Sequence, residues 1–112
     1  MARAAVAIFT LHLNDSEIVT PTEIDASNDM SVVCVRDDLA LVVYNSAEAT
    51  KTLTIKAKSG VAAEDIVLSI ATTETRIIGN LESALYKQTD GKINLDFEAG
   101  FTGTIYAIKD AI

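Results

Sequence analysis

His12 is the one histidine in the chain, so a Ser-His-Asp arrangement for nucleophilic catalysis could be built on no other residue. Its setting argues for a different role. His12 follows Val6, Ile8 and Thr10 at period two, which makes it one more side chain on a strand face. The carboxylates gather in three places, Asp15/Glu17, Glu23/Asp25/Asp29 and Asp37/Asp38, and hard oxygen ligands of this kind are what calcium takes. None of the groups has the spacing of a calcium loop, and all read as solvated turn acids. Cys34 is the single cysteine and lies in the apolar run Val32, Val33, Val35. It cannot form an internal disulfide, and only Arg36 is near enough in sequence to lower its thiol pKa, so it reads as a small buried side chain. The chain has no HExxH, CxxC or glycine-rich phosphate loop. With no Trp and only Tyr44, Tyr86 and Tyr106, it offers few flat platforms for a sugar ring. These residues predict no enzyme, no metal and no cofactor.

Composition narrows the class of partner. The 112 residues suffice for a single domain, 1–112, that buries a core without disulfide or metal staples. Hydrophobic residues make up 49% of the chain, with one Pro and five Gly, the balance of a packed globule. Nine basic against sixteen acidic side chains give a net charge of −7, which repels a phosphate backbone and predicts no nucleic-acid partner. Arg3 followed by Ala4 to Leu11 has the outline of a secretory leader, but His12, Asn14, Asp15 and Glu17 follow with no small-residue cleavage site. No apolar run is long enough for a membrane-spanning helix. The expectation is a chain made in the cytoplasm, without signal peptide or membrane partner.

What would position these residues is a succession of strands. The chain is organised around Leu39–Gly60, LALVVYNSAEATKTLTIKAKSG, read as a hairpin with Asn45 to Thr50 as its loop. Leu53, Ile55 and Ala57 alternate with Thr52, Thr54 and Lys56, giving one buried and one wet face. Leu39 to Tyr44 is apolar on both faces, so it sits centrally or covers a partner. Ala5 to Leu13 alternates as a first strand, preferred over a helix because the run lacks a capping residue and carries β-branched and aromatic side chains, and Asn14 to Asn28, with Pro21 at its middle, reads as an extended connection or edge strand. Further strands are expected at Ser31–Val35, Ile66–Ile70, Thr75–Ile78, Lys92–Phe97 and Thr104–Lys109. Leu81 to Gln88 is one helical turn followed by a strand at Ala84–Lys87, and Asp90-Gly91 is a tight hairpin turn. About eight strands at roughly ten-residue spacing predict an all-β fold, a single antiparallel β-sandwich of jelly-roll or Ig-like type.

The order in which RIIGNLESALYKQTDGKINLDF follows LALVVYNSAEATKTLTIKA resembles that of small bacteriophage capsid decoration (cement) proteins. The matching features are a strand ending in Asn45, the alternating strand Thr52 to Ile55, the step Arg76-Ile77-Ile78-Gly79, and Tyr86 shortly before Asp90-Gly91. The likeness covers about Leu39 to Lys109. It implies a structural virion protein on the outer surface of a phage head, which stabilises the particle by binding the major capsid protein. It also implies self-association on the capsid, for example as a trimer. The competing reading is a receptor- or glycan-binding β-sandwich of a phage fibre or tail. Candidate contacts with the capsid or a neighbouring copy are Val42 and Tyr44 on the two-sided strand and Ala2, Arg3, Ala4 and Ala5 at the N-terminus. Residues 1–7 have two readings: an extended N-terminal arm that orders on a partner's sheet edge, with Arg3 meeting a carboxylate there, or the start of the first core strand.

Overall fold

A computed structural model of the chain describes residues 2–11, 16, 18–34, 38–79 and 81–110, the side chain of Asp110 excepted. They form an all-β sandwich. The strands are β1 (Ala4–Ala5), β2 (Ile8–Leu11), β3 (Thr22–Glu23), β4 (Met30–Val33), β5 (Ala40–Asn45), β6 (Lys51–Ile55), β7 (Ile66–Ile70), β8 (Thr75–Ile78), β9 (Lys92–Phe97) and β10 (Gly103–Asp110). A single helical turn, α1 (Ser83–Tyr86), precedes β9. The first sheet has the order β1-β4-β9-β6-β7, the second β2-β10-β5-β8, with β3 paired to the lower end of β10.

Period-two patterning puts one side of each strand into the space between the sheets. Met30, Val32, Leu53, Ile55, Ile93 and Leu95 from the first sheet meet Leu41, Val43, Ile105 and Ala107 from the second, all buried. Phe97 and Phe101 close one end edge to face, with ring centres 5.1 Å apart. Cys34 is a buried member of this core, as its apolar neighbours predict. From β4 onward the chain crosses between sheets at almost every connection, and only β6 and β7 follow one another within a sheet.

That crossing corrects the expected hairpin at Leu39–Gly60. β5 belongs to the second sheet, between β10 and β8, while β6 belongs to the first, between β9 and β7. The reason lies at Asn45, which is wholly buried at the end of β5. Its Nδ2 donates to the carbonyls of Ile70 (2.9 Å) and Ala49 (3.1 Å), and its Oδ1 accepts the Ala47 N–H at 2.8 Å. Its backbone takes the Thr73 N–H and donates to the Glu74 carbonyl. One side chain thus ties the loop after β5 to the end of β7 in the opposite sheet, and Thr72 Oγ1 adds a bond to the Ala47 carbonyl. Satisfying a buried amide in this way holds the segment across the gap instead of letting it fold back beside β5.

The first predicted strand is likewise two strands. Val6 N–H bonds the Ser31 carbonyl in the first sheet, and one residue later the Ala7 carbonyl accepts from Ala107 in the second. Val6 turns into the core at the crossing. Both halves pair in parallel, β1 with β4 and β2 with β10, so the sheets are mixed, not purely antiparallel. Pro21 leads into β3, whose Thr22 hydroxyl accepts the Ala7 N–H at 2.9 Å. Near Asp90-Gly91 the turn is tight, with Gly91 at φ 85°, but the strand expected at Ala84–Lys87 shrinks to one bridge, Lys87 to Ile93, after α1. Gly103 has φ 137°, and a Cβ there would overlap the Tyr44 carbonyl oxygen, so the start of β10 admits no side chain.

Asn45→Ala leaves the Ile70 and Ala49 carbonyls and the Ala47 N–H without their partner. Urea unfolding should show a loss of about 2–4 kcal/mol. Ser46→Ala, at an exposed neighbouring hydroxyl, should stay within about 0.5 kcal/mol of the parent.

Candidate functional site

The two sheets present unlike faces to solvent. On the first, the outward positions carry Val33 beside Lys92 and Thr54 between Asp96 and Val67, while Ser31, beside Asn94, is buried. Arg3 joins this face through Asp96, Nη1 to Oδ1 at 2.6 Å. This is an ordinary wet surface. On the second sheet the same alternation points Ala40, Val42 and Tyr44 of β5 outward, since Leu41, Val43 and Asn45 are buried. Register then aligns three rows. Ile108 lies between Phe9 and Ala40, Tyr106 pairs Val42 and through it Ile77, and Thr104 pairs Tyr44 and through it Thr75. Phe9 and Tyr106 meet edge to face at 6.0 Å.

Among the described outward positions of β2, β5, β8 and β10 up to Ile108, no side chain is charged. Glu23, on β3 beside Thr104, stands at the rim. Ile77 is 71% exposed and Leu11 46% exposed, and Ile18, 90% exposed, lies just beyond β2 in sequence. Phe9, Leu11, Val19 and Ile108 line a small apolar cleft of about 100 Å³ at the β2 side. The outer face of the second sheet is thus largely apolar on a chain of net charge −7.

Of the predicted contact residues, Val42 and Tyr44 are brought together on this face. Ala2, Arg3, Ala4 and Ala5 are not. They run along the opposite sheet, where Ala4 packs against the core, Ala5 is exposed, and Ala2 precedes the strand in solvent. The carboxylate that Arg3 meets is the chain's own Asp96, and its guanidinium also donates to the Leu95 and Met30 carbonyls. Sequence reasoning missed Phe9, Ile77, Tyr106 and Ile108 as members of the site. The signal was present in β10, where Tyr106 and Ile108 alternate with Ile105 and Ala107, so that both sides are apolar as in β5.

Two shallow clefts, of about 460 and 390 Å³, flank β3 and share Glu23 and Ile24. The Asp25 carboxylate in the first accepts from Asn28 Nδ2 and from the Asn28 and Ser27 N–H groups, and the Asn28 bonds above all hold its pKa below the ordinary value. It shapes a turn. Among the described residues no group of three or more His, Cys, Asp or Glu could hold a metal ion. His12, Asp15, Glu17, Arg36 and Asp37 lie outside the described residues. No described helix is long and apolar enough to cross a membrane.

Charges also guard the open edge of the first sheet. Arg76 donates to the Ser69 carbonyl of β7 at 3.0 Å and to Glu74 at 2.9 Å, while Glu74 accepts the Ala71 N–H. At the other end Asp65 accepts the Ala57 N–H at 2.7 Å and pairs Lys56 at 2.8 Å. Such groups discourage a further strand from adding to the edge. The Ala57 N–H and then Lys56 hold the Asp65 carboxyl below its ordinary range, and the Ala71 N–H and then Arg76 do the same for Glu74.

No family model matches the chain, and no curated protein or solved structure is detectably similar to it.

Folding lowers the Asp65 pKa, so its stabilising contribution is complete above the ordinary carboxylate range and disappears as pH falls through the depressed value. Thermal melts of wild type and Asp65→Asn should therefore differ at neutral pH and draw together in acid, as pH falls through the depressed value. A constant gap would overturn this assignment. Removing residues 1–7 strips Val6 from the core and β1 from its edge, and should cost about 2–4 kcal/mol in a urea titration.

Proposed function

We propose that this chain is a non-catalytic structural virion protein that decorates and stabilises a bacteriophage head by binding the major capsid protein lattice on the outer surface. The observation that carries the reading is the apolar and aromatic outer face of the second sheet, with Glu23 at its rim, on an otherwise acidic sandwich. A protein that clamps a lattice needs a rigid body that folds before it binds and a flat surface for protein contact. The core between the sheets supports the first need, and the face supports the second. The acidic remainder keeps many unassembled copies soluble. Order along the chain, from Asn45 through Arg76-Ile77-Ile78-Gly79 to Asp90-Gly91, is what resembles the decoration proteins.

One observation favours a second reading. Tyr44 and Tyr106 stand on the same face as Phe9, and aromatic rings on a flat sheet are what a sugar stacks on. A fibre or tail protein binding a glycan receptor would use them so, and glycan-array binding without head binding would select it.

Purified protein added to heads assembled without it should saturate at a fixed number of copies per capsid subunit and raise the temperature at which the heads break, because a ligand that binds only the assembled lattice stabilises it. Binding that is absent or never saturates would sink the decoration reading.

A further inference from the structure

We infer that the segment from Ala4 to Leu11 is a mechanical clamp, which lets the sandwich carry tension applied between its two ends without opening. The inference goes beyond the proposed function and does not rest on it, since it concerns the load the body withstands and not the partner it meets. Direction is the first argument. β1 runs parallel to β4 and β2 parallel to β10, with no turn between Ala5 and Ile8. Ala4 begins the segment, while Asp110, the last residue of β10, stands opposite Leu11 at its far end. At about 3.3 Å per residue the two points of loading lie roughly 25 Å apart along the strands. Tension between them therefore acts along both ladders, in shear. A hairpin pulled at its open end would instead unzip, one bond after another.

The bonds that resist this shear are the second argument, because they are loaded together. At the head of the segment Arg3 donates to the Asp96 carboxylate at 2.6 Å and to the Met30 and Leu95 carbonyls. On the first sheet the Ala4 and Val6 N–H groups donate to the Asp29 and Ser31 carbonyls, both at 3.0 Å. On the second, the Ala7 N–H donates to Thr22 Oγ1 at 2.9 Å and the Ala7 carbonyl accepts the Ala107 N–H at 2.9 Å. β2 then stays in register from Ile8 opposite Ala107 to Leu11 opposite Asp110, with Phe9 edge to face against Tyr106. One extended segment is thus fastened to both sheets, and its Val6 is buried between them. Sliding it by one residue breaks these bonds together and turns Val6 away from the core, so no single weak bond sets the resistance. The strands that receive the load are themselves held from behind, β10 by β5 from Gly103 to Ile108 and β4 by β9.

Single-molecule force spectroscopy of the full chain tests the inference in two geometries. Handles sit at the two chain ends in the first, and at Leu11→Cys and the C-terminal end in the second. Cys34 is buried and takes no handle. The second pair draws apart neighbouring ends of β2 and β10 and peels the ladder. At one loading rate the end-to-end geometry should need at least about twice the force, because forced unfolding follows the unfolding barrier along the pulled direction. Phe9→Ala, which removes the ring contact across the clamp, should lower the end-to-end force. Ile66→Val, on β7 outside the load path, should lower the urea midpoint and leave that force unchanged. Urea titrations establish that each variant folds, and Arg3→Met takes the place of Phe9→Ala if that chain does not. Equal forces in the two geometries, or an end-to-end force that follows urea stability in every variant alike, overturns the inference. Head binding enters none of these readouts. Failure of the decoration reading leaves the clamp standing, and a failed clamp leaves that reading as it was.

Discussion

The buried amide of Asn45 is the constraint on which the rest of the sandwich depends. Ten short strands in two sheets offer many ways to connect, and apolar alternation says which side of a strand is inward without saying which sheet the strand joins. Asn45 settles that choice where it matters most. By bonding Ile70 and Ala49 through Nδ2 and Ala47 through Oδ1, it welds the end of β5 in the second sheet to the end of β7 in the first. The turn after β7 returns two backbone bonds to Asn45, so one residue closes the loop on both sides. A buried polar group with all its bonds made contributes more to the uniqueness of a fold than to its net stability. Here the alternative it opposes is the plain hairpin that the local sequence favours.

That explains why the strands were legible and the pairing was not. Ile66–Ile70, Thr75–Ile78 and Lys92–Phe97 coincide with their period-two segments because alternation and turn residues are local signals. Leu39 to Thr50 looks like half of a hairpin by the same local signals, and nothing local reveals that Asn45 will be buried 25 residues from its carbonyl partner, Ile70. The split of the first strand was hidden for a related reason. Ala5, Ala7 and Phe9 alternate without a break, and the change of sheet between Val6 and Ala7 follows from which edges are vacant, which is a property of the whole fold.

The apolar outer face of the second sheet was half legible. Strand β5 announced itself by having no wet side, and Val42 and Tyr44 followed from that alone. Completing the face requires the registers with β10, β8 and β2, which place Tyr106, Ile77 and Ile108 beside them. The N-terminal residues show the opposite case. Small side chains at Ala2, Ala4 and Ala5 suit an arm that pairs closely with another chain, and equally suit the narrow edge beside Met30 and Ser31 that they occupy. Composition cannot tell a foreign edge from the chain's own.

The two faces also divide the labour of charge. Most of the described ion pairs sit on the first sheet or its connections: Arg3 with Asp96, Lys51 with Glu98, Lys56 with Asp65. Exposed pairs of this kind add little stability, yet they hold the basic side chains of the first sheet beside acids. The excess of acid over base is then spread around the rim and the loops, while the plane of Val42, Tyr106 and Ile77 stays neutral. An apolar face on an uncharged protein would invite indiscriminate aggregation. On an acidic one the surrounding repulsion resists random collisions and yields only where a partner covers the face broadly enough for apolar burial to exceed it. Selectivity therefore rests on matching area and shape.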